Sequence, residues 1–156
     1  MKRFLVLLLF AGISLCALIL VMGQGENQEF KALKDKAENA VKSRRPDWTI
    51  KRKDEKDKEV IYNWNTQRDG VRLLIFQGDS EQEAAERMQS TLNALSVGPG
   101  KKRSDLGDEA YSWKSERSGF AGVRFRKRNV YVDLVASSEE LAEDLAKEIS
   151  QFIKKN

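Results

Sequence analysis

The chain has 156 residues, with 28 lysines and arginines against 24 aspartates and glutamates, which gives a net charge of +4. It contains no histidine and a single cysteine, Cys16. This composition excludes Ser-His-Asp catalysis, the commonest transition-metal ligands and a scaffold held by disulfides. Chemistry carried by Lys, Tyr, Ser, Asp or Glu stays open.

The first 25 residues are typical of an export signal or a membrane anchor. Lys2 and Arg3 precede an uncharged apolar run over residues 4–22, and the small residues Gly23 and Gly25 follow it. The run is longer than the usual core of a signal peptide, about 7–15 residues, and close to the roughly 20 that cross a bilayer. Cleavage of a signal peptide and retention of an N-terminal anchor are both open. In either case the positive N-terminus favours the cytoplasm, so we expect the remainder to be extracytoplasmic, either periplasmic or secreted.

Beyond residue 25 the chain is long enough for one domain with its own core. Lys2 and Arg3 account for two of the 28 cations and no acidic residue precedes Glu26, so the net charge of this part is +2. Such a near balance indicates a soluble surface and is not that of a dedicated nucleic-acid binder. Cys16 lies inside the apolar run, after Leu15, and is interpreted as an apolar residue rather than a lipid-attachment site.

An amphipathic helix is predicted over residues 26–46. Pro46 disfavours helical geometry in the residue before it, so the helix should end by Arg45. A single α+β domain is expected over residues 47–156, with this helix packed on it by its narrow apolar edge. The apolar positions recur at three- and four-residue spacing: Phe30, Leu33, Ala37 and Val41.

The rest of the chain alternates between strand patterns and helix signals. Ser80 with Glu83 forms a capping box before a helix that runs through Leu95, and Ser137 with Glu140 opens the last helix. The charged segment over residues 53–59 is predicted to be a turn and residues 97–109 a loop. Strands are predicted from period-two alternation over residues 48–52, 60–65, 71–76, 110–116, 122–127 and 130–136.

Two segments of the chain share a turn, an alternating strand, a capped start and an amphipathic helix, offset by 58–59 residues. We interpret them as two β-β-α units that follow the N-terminal helix, and internal duplication is a hypothesis. The predicted fold is α+β, with one antiparallel sheet of about five to six strands and helices on one face.

The C-terminal half resembles a group of small exported bacterial proteins of unknown function. The likeness rests on the turn from Gly107 to Ala110, the hairpin over residues 125–130 and the terminal helix from Ser138 onward. The resemblance implies an envelope location and an α+β fold, and it carries no catalytic residues.

Four cations occur among residues 124–128, and a hairpin register accounts for part of this charge. A two-residue turn at Arg128 and Asn129, with a positive φ at Asn129, places the apolar side chains of both strands on one face. The same register sets Arg124 opposite Asp133 and Arg126 beside the ring of Tyr131, which leaves the cations of Lys127 and Arg128 at the tip.

Other patterns that suggest chemistry have a structural interpretation. Acidic residues that begin the last helix complement its dipole, and lysines interrupt the acidic run over residues 53–59, so no metal site is predicted. The loop "VGPGKKR" lacks the spacing of a phosphate-binding loop, and no cofactor is predicted. Aromatic side chains on strands are typical of a core, with a surface that stacks sugars or bases as the alternative: Trp48, Tyr62, Trp64, Tyr111 and Trp113.

These observations predict a non-catalytic, exported domain that acts as a protein-interaction or structural module of the cell envelope, with an envelope protein as its partner. The alternative is a binder of an anionic polymer or lipid surface through basic loops, and a remote alternative is a hydrolase that needs neither histidine nor cysteine. Nucleic acid is not an expected partner. The candidate contact residues are Lys101, Lys102, Arg103, Arg126, Lys127, Arg128, Tyr131 and Trp64.

Overall fold

The computed structural model describes residues 27–65, 69–94 and 100–153. The predicted export segment over residues 1–25, its cleavage site and Cys16 lie outside this part. Among the described residues, no helix has both the length and the apolar character that crossing a membrane requires.

In the described part of the chain, three helices and seven strands form the fold, which confirms the α+β class. The sheet has seven strands rather than five to six. The additional strand, Lys101–Arg103, lies in the predicted loop, and the first strand includes most of the charged segment that was predicted to be a turn. In chain order the elements are α1 (Gln28–Arg44), β1 (Ile50–Lys56), β2 (Glu59–Trp64), β3 (Val71–Gln77), α2 (Glu81–Asn93), β4 (Lys101–Arg103), β5 (Glu109–Lys114), β6 (Ala121–Lys127), β7 (Val130–Ala136) and α3 (Glu139–Phe152).

Side chains cap all three helices at their N-termini. Asn27 accepts from the amide of Glu29, and Ser80 accepts from the amide of Glu83 at 3.1 Å. The carboxylate of Glu83 accepts from the amide of Asp79 instead of closing the predicted box on Ser80. The last helix begins one residue later than predicted, because Ser138 rather than Ser137 is its cap.

All strand pairs are antiparallel, and the order across the sheet is β1-β2-β3-β7-β6-β5-β4. The β6–β7 hairpin has the predicted register, with Phe125 opposite Val132 and Arg124 opposite Asp133. The centre of the sheet is the pair β3–β7, which joins strands far apart in the chain. The two halves of the fold therefore meet along this pair.

One face of the sheet carries α1 and α3 over the main core. Successive strand residues point to opposite faces, so alternate positions of every long strand enter this layer. Phe30 and Val41 of α1 and Leu145 of α3 close it from above. The largest fully buried strand side chains here are Trp64, Tyr62, Phe125, Leu73, Ile75 and Leu134.

The opposite face carries α2, so the prediction that all helices lie on one face is wrong. Leu74 and Phe76 make the second face of β3 apolar, and an apolar face needs cover. Met88 of α2 packs against Leu74 and Tyr131 in a smaller cluster. Because this face of the sheet is apolar only near its centre, one short helix is enough to cover its apolar side chains.

The two β-β-α units are present as β2-β3-α2 and β6-β7-α3. In the central pair, Val71 lies opposite Ala136 and Gln77 opposite Val130, with Leu74 opposite Asp133 midway. This register is compatible with a local twofold relation between β3 and β7. The helices do not follow it, since α2 and α3 cover opposite faces, and duplication stays a hypothesis.

Candidate functional site

Two of the predicted contact residues are in the interior. Trp64 is 1% exposed and stacks on Tyr62 with ring centroids 5.1 Å apart, and Tyr131 is 0% exposed beneath α2. Burial raises the pKa of Tyr131 to about 12, and the neighbouring Asp133 charge adds to this effect. The prediction that Trp64 and Tyr131 contact a ligand at the surface is wrong, because inward-facing strand positions supply the large side chains that fill a core.

The basic residues of β4 divide into exposed and paired side chains. Lys101 and Lys102 are exposed on this edge strand. Arg103 forms a two-bond contact with the carboxylate of Asp105, at 2.9 and 2.6 Å, and a third bond to Glu143 of α3 at 2.6 Å. The hydrogen bonding of Arg103 to the Asp105 carboxylate is the main cause that raises the pKa of Arg103. Arg103 therefore secures the β4 edge to α3.

The cations of the β6–β7 turn are also held by neighbouring groups. The carboxylate of Asp108 accepts from Arg126 Nη1 at 3.0 Å and from the Arg128 amide at 2.6 Å. Lys127 Nζ donates to the carbonyl of Ser150 at the end of α3, at 2.5 Å. The positive φ of +57° belongs to Arg128 and not, as predicted, to Asn129, whose side-chain amide donates to the carbonyl of Gly78.

The predicted basic residues do not form one surface. Arg103 lies opposite Ala110, which lies opposite Phe125, so Arg103 points to the face covered by α1 and α3. Arg126 follows Phe125 directly and points to the α2 face, where it lies opposite Tyr131, as predicted, and its guanidinium donates to the carboxylate of Asp108. The loop residue Asp108 was not predicted as a partner, because its proximity to the turn depends on the pairing of β5 with β6.

Three charged side chains lie together at the centre of the α2 face, and we call them the charged centre: Arg72, Arg124 and Asp133. Arg124 Nε lies 3.0 Å from Asp133 Oδ1, and Arg72 Nη1 lies 3.5 Å from Asp133 Oδ2. The side chains of Arg124 and Asp133 are 7% and 8% exposed, whereas that of Arg72 is 42% exposed. Burial raises the pKa of Asp133, and the two arginines oppose that shift. With all three groups ionised, the charged centre has a net charge of +1.

Trp113 lies beside the charged centre against a glycine. A Cβ atom at Gly122 would come within 2.3 Å of Trp113 Nε1 and 2.4 Å of Cε2, so the indole occupies the space above Gly122. The guanidinium of Arg124 lies 5.6 Å from the indole centroid. Trp48 and Trp64 are buried, while Trp113 is partly exposed. It is thus the tryptophan of this chain that solvent reaches.

Arg72, Gly122 and Trp113 belong to a row of residues that crosses five strands on the α2 face, which we call the cross-strand row. Each member lies directly opposite the next in the strand pairing. Gly122 is buried and the other four side chains are partly exposed. The charged centre extends from this row toward α2. The cross-strand row consists of Asn63, Arg72, Val135, Gly122 and Trp113.

A separate groove lies where α1 begins and α3 ends. It encloses about 120 Å³ and is lined mainly by Leu33, Val130, Phe152 and Ile153. Its lining also includes Arg128 and Asn129 of the β6–β7 turn. Within the described residues, no group of three or more acidic side chains is placed to hold a metal ion.

Comparison of the chain with models of known protein families, with curated proteins and with solved structures found no match.

Proposed function

We propose that the chain is a non-catalytic binding module of the cell envelope, exported by residues 1–25 and contacting an envelope component through the cross-strand row. The partly exposed Arg72 and Trp113 support this proposal. They combine a planar charged group with an aromatic ring, and both residue types are enriched where proteins bind their partners. They lie on a rigid sheet, which holds contact groups more precisely than loops do.

The alternative, a polyanion binder that uses basic loops, has less support. Arg103 and Arg126 are hydrogen bonded to carboxylates, and Arg124 is buried beside Asp133. A cation that already holds a carboxylate gains less from a phosphate or sulfate. The slope of log affinity against log salt counts the charges neutralised, so a steep slope indicates binding by several basic loop residues and a shallow or absent slope indicates the cross-strand row.

Site-specific photo-crosslinking of the full chain in its own cells tests the proposal. A photoreactive amino acid at Val135 lies within the cross-strand row, and one at the exposed Lys147 of α3 is the control. We expect a discrete crosslinked product from position 135 that disappears when Trp113→Ala is added, and none from position 147. Equal products from both positions, or none from position 135, would contradict the proposed function. Protease protection in cells with and without a permeabilised envelope tests the extracytoplasmic location.

A further inference from the structure

We propose that the ligand of the cross-strand row is a linear glycan that carries carboxylate groups. In this arrangement a sugar ring stacks on Trp113 and a sugar carboxylate pairs with Arg72. The inference rests on the proposed function, because it assigns a ligand class to the same surface.

Trp113 has the properties of a stacking platform. Gly122 has no side chain, so the indole lies close to the backbone of β6, with the Arg124 guanidinium 5.6 Å from the ring centroid, and the ring is partly exposed. The negatively polarised face of an aromatic ring attracts the C–H groups of a sugar ring. Because the ring is supported by backbone, little conformational freedom is lost when a ligand stacks on it.

Arg72 supplies a donor group that its own contacts do not saturate. Its side chain is 42% exposed, and within the described part of the chain it donates a long hydrogen bond, of 3.5 Å, to Asp133. A guanidinium has five donors in a fork that matches a carboxylate, so donors remain for a second one. Asp133 is already compensated by the buried Arg124 at 3.0 Å.

Charge complementarity favours an acidic ligand over a neutral one. The charged centre carries one more positive than negative charge, and both Arg124 and Asp133 are removed from water. An incoming carboxylate at Arg72 neutralises this excess, and the buried Arg124 and Asp133 beside it are screened less by solvent than surface charges are. A second arginine, Arg52, lies opposite Asn63 at the end of the row but is paired with Asp54 at 2.7 Å.

The spacing of the two contact groups suits a short linear chain. Arg72 and Trp113 are separated by three strand intervals, through Val135 and Gly122. At about 4.8 Å per interval the two backbone positions are roughly 14 Å apart. Because the indole lies over Gly122, the two contact groups are closer than this, within the length of a trisaccharide. Asn63 extends the row beyond Arg72 with an amide that can both donate to and accept from hydroxyl groups.

Titration of the full-length protein in detergent with trigalacturonic acid, and with maltotriose as the uncharged probe, tests this inference. Trp48 and Trp64 are buried, so acrylamide quenching of tryptophan fluorescence reports mainly on Trp113. We expect saturable protection from quenching by trigalacturonic acid and little by maltotriose. Calorimetry should show an affinity loss of about tenfold or more for Arg72→Gln and for Trp113→Ala, and no change for Arg117→Gln, an exposed control in the β5–β6 turn.

Gly122→Ala gives a second variant, because it displaces the indole without removing it and should also weaken binding. Circular dichroism checks that each variant is folded. Equal binding of both sugars, no binding of either, or loss in the Arg117 control would overturn the inference, as would preferential binding of oligothymidylate. If the glycan fails while the Val135 crosslink persists, the ligand class is wrong and the proposed function stands.

Discussion

Arg124 and Asp133 face each other across β6 and β7, with Nε and Oδ1 3.0 Å apart and both side chains more than nine-tenths buried. Neither atom has a hydrogen-bond partner in the described part of the chain, because the pair is close but poorly aligned. Two desolvated charges that lack a good hydrogen bond recover little of their desolvation cost.

We therefore expect removal of one charge to be worse than removal of both. Asp133→Leu leaves Arg124 buried without its counter-ion, and the free energy of unfolding should fall by about 3–5 kcal/mol. The double variant Arg124→Met with Asp133→Leu should be markedly more stable than Asp133→Leu alone. Urea denaturation of the two single variants and the double variant measures this coupling, and additive losses would contradict it.

Glu55 of β1 should contribute to stability in a way that depends on pH. Its hydrogen bond from Lys34, a side chain only 6% exposed, is the main cause that holds its pKa below the ordinary 4.5, and Lys53 adds to this effect. Because the folded state favours the ionised form, the stabilisation is present above about pH 4.5 and is lost as pH falls through the lowered pKa.

Between pH 6 and pH 3 the wild type should accordingly lose more stability than Glu55→Gln, which lacks this carboxylate. Asp133 has the opposite sign, since its raised pKa means that protonation favours the folded state as the pH falls. Thermal unfolding at a series of pH values measures the difference. Parallel curves for the wild type and Glu55→Gln would show that the Lys34 contact contributes nothing.

Asp108 should govern the apparent basicity of the β6–β7 turn. Its carboxylate neutralises Arg126 and accepts from the Arg128 amide. We expect Asp108→Ala to bind heparin more tightly than the wild type at low salt. Loss of the Asp108 hydrogen bonds should also lower the free energy of unfolding by about 1 kcal/mol. The exposed Glu116→Ala changes the net charge equally and serves as the control. Equal shifts of the two variants in the salt concentration of elution would refute a specific effect of Asp108.

The tryptophans should differ sharply in their contribution to stability. Trp64 is 1% exposed and stacked on Tyr62, so Trp64→Ala should reduce the free energy of unfolding by about 3–5 kcal/mol. Trp113 is partly exposed, so folding buries less of its apolar surface. Trp113→Ala should therefore reduce the free energy of unfolding by only about 1 kcal/mol. Denaturation midpoints measure both, and the reverse order would contradict the assignment of core and surface.

Local patterns were enough to predict most elements of this fold. The register of the β6–β7 hairpin follows from the alternation of its side chains together with a two-residue turn, and the structure confirms it. The Ser80 cap was predictable because it depends on residues only three apart. The edge strand β4 was missed because three polar residues carry no alternation that would distinguish a strand from a loop.

The cross-strand row could not be predicted in the same way. Its members come from five strands, and Asn63 and Trp113 are brought together only by the long-range pairing of β3 with β7. Burial of the charged centre also depends on that pairing and on α2 crossing to the second sheet face. The apolar second face of β3 was visible in the sequence, and it was the signal that could have placed α2 there.

The central pairing has a consequence for how the chain reaches its folded state. β3 is apolar on one face and, apart from Arg72, on the other, and one of its edges is completed only by β7, which emerges after the other six described strands during synthesis or export. Until residues 130–136 arrive, the N-terminal hairpins present an open, strongly apolar strand edge of the kind that promotes aggregation. Assembly of this domain is therefore completed late, and a factor that shields residues 71–77 in the meantime would raise the yield of folded protein.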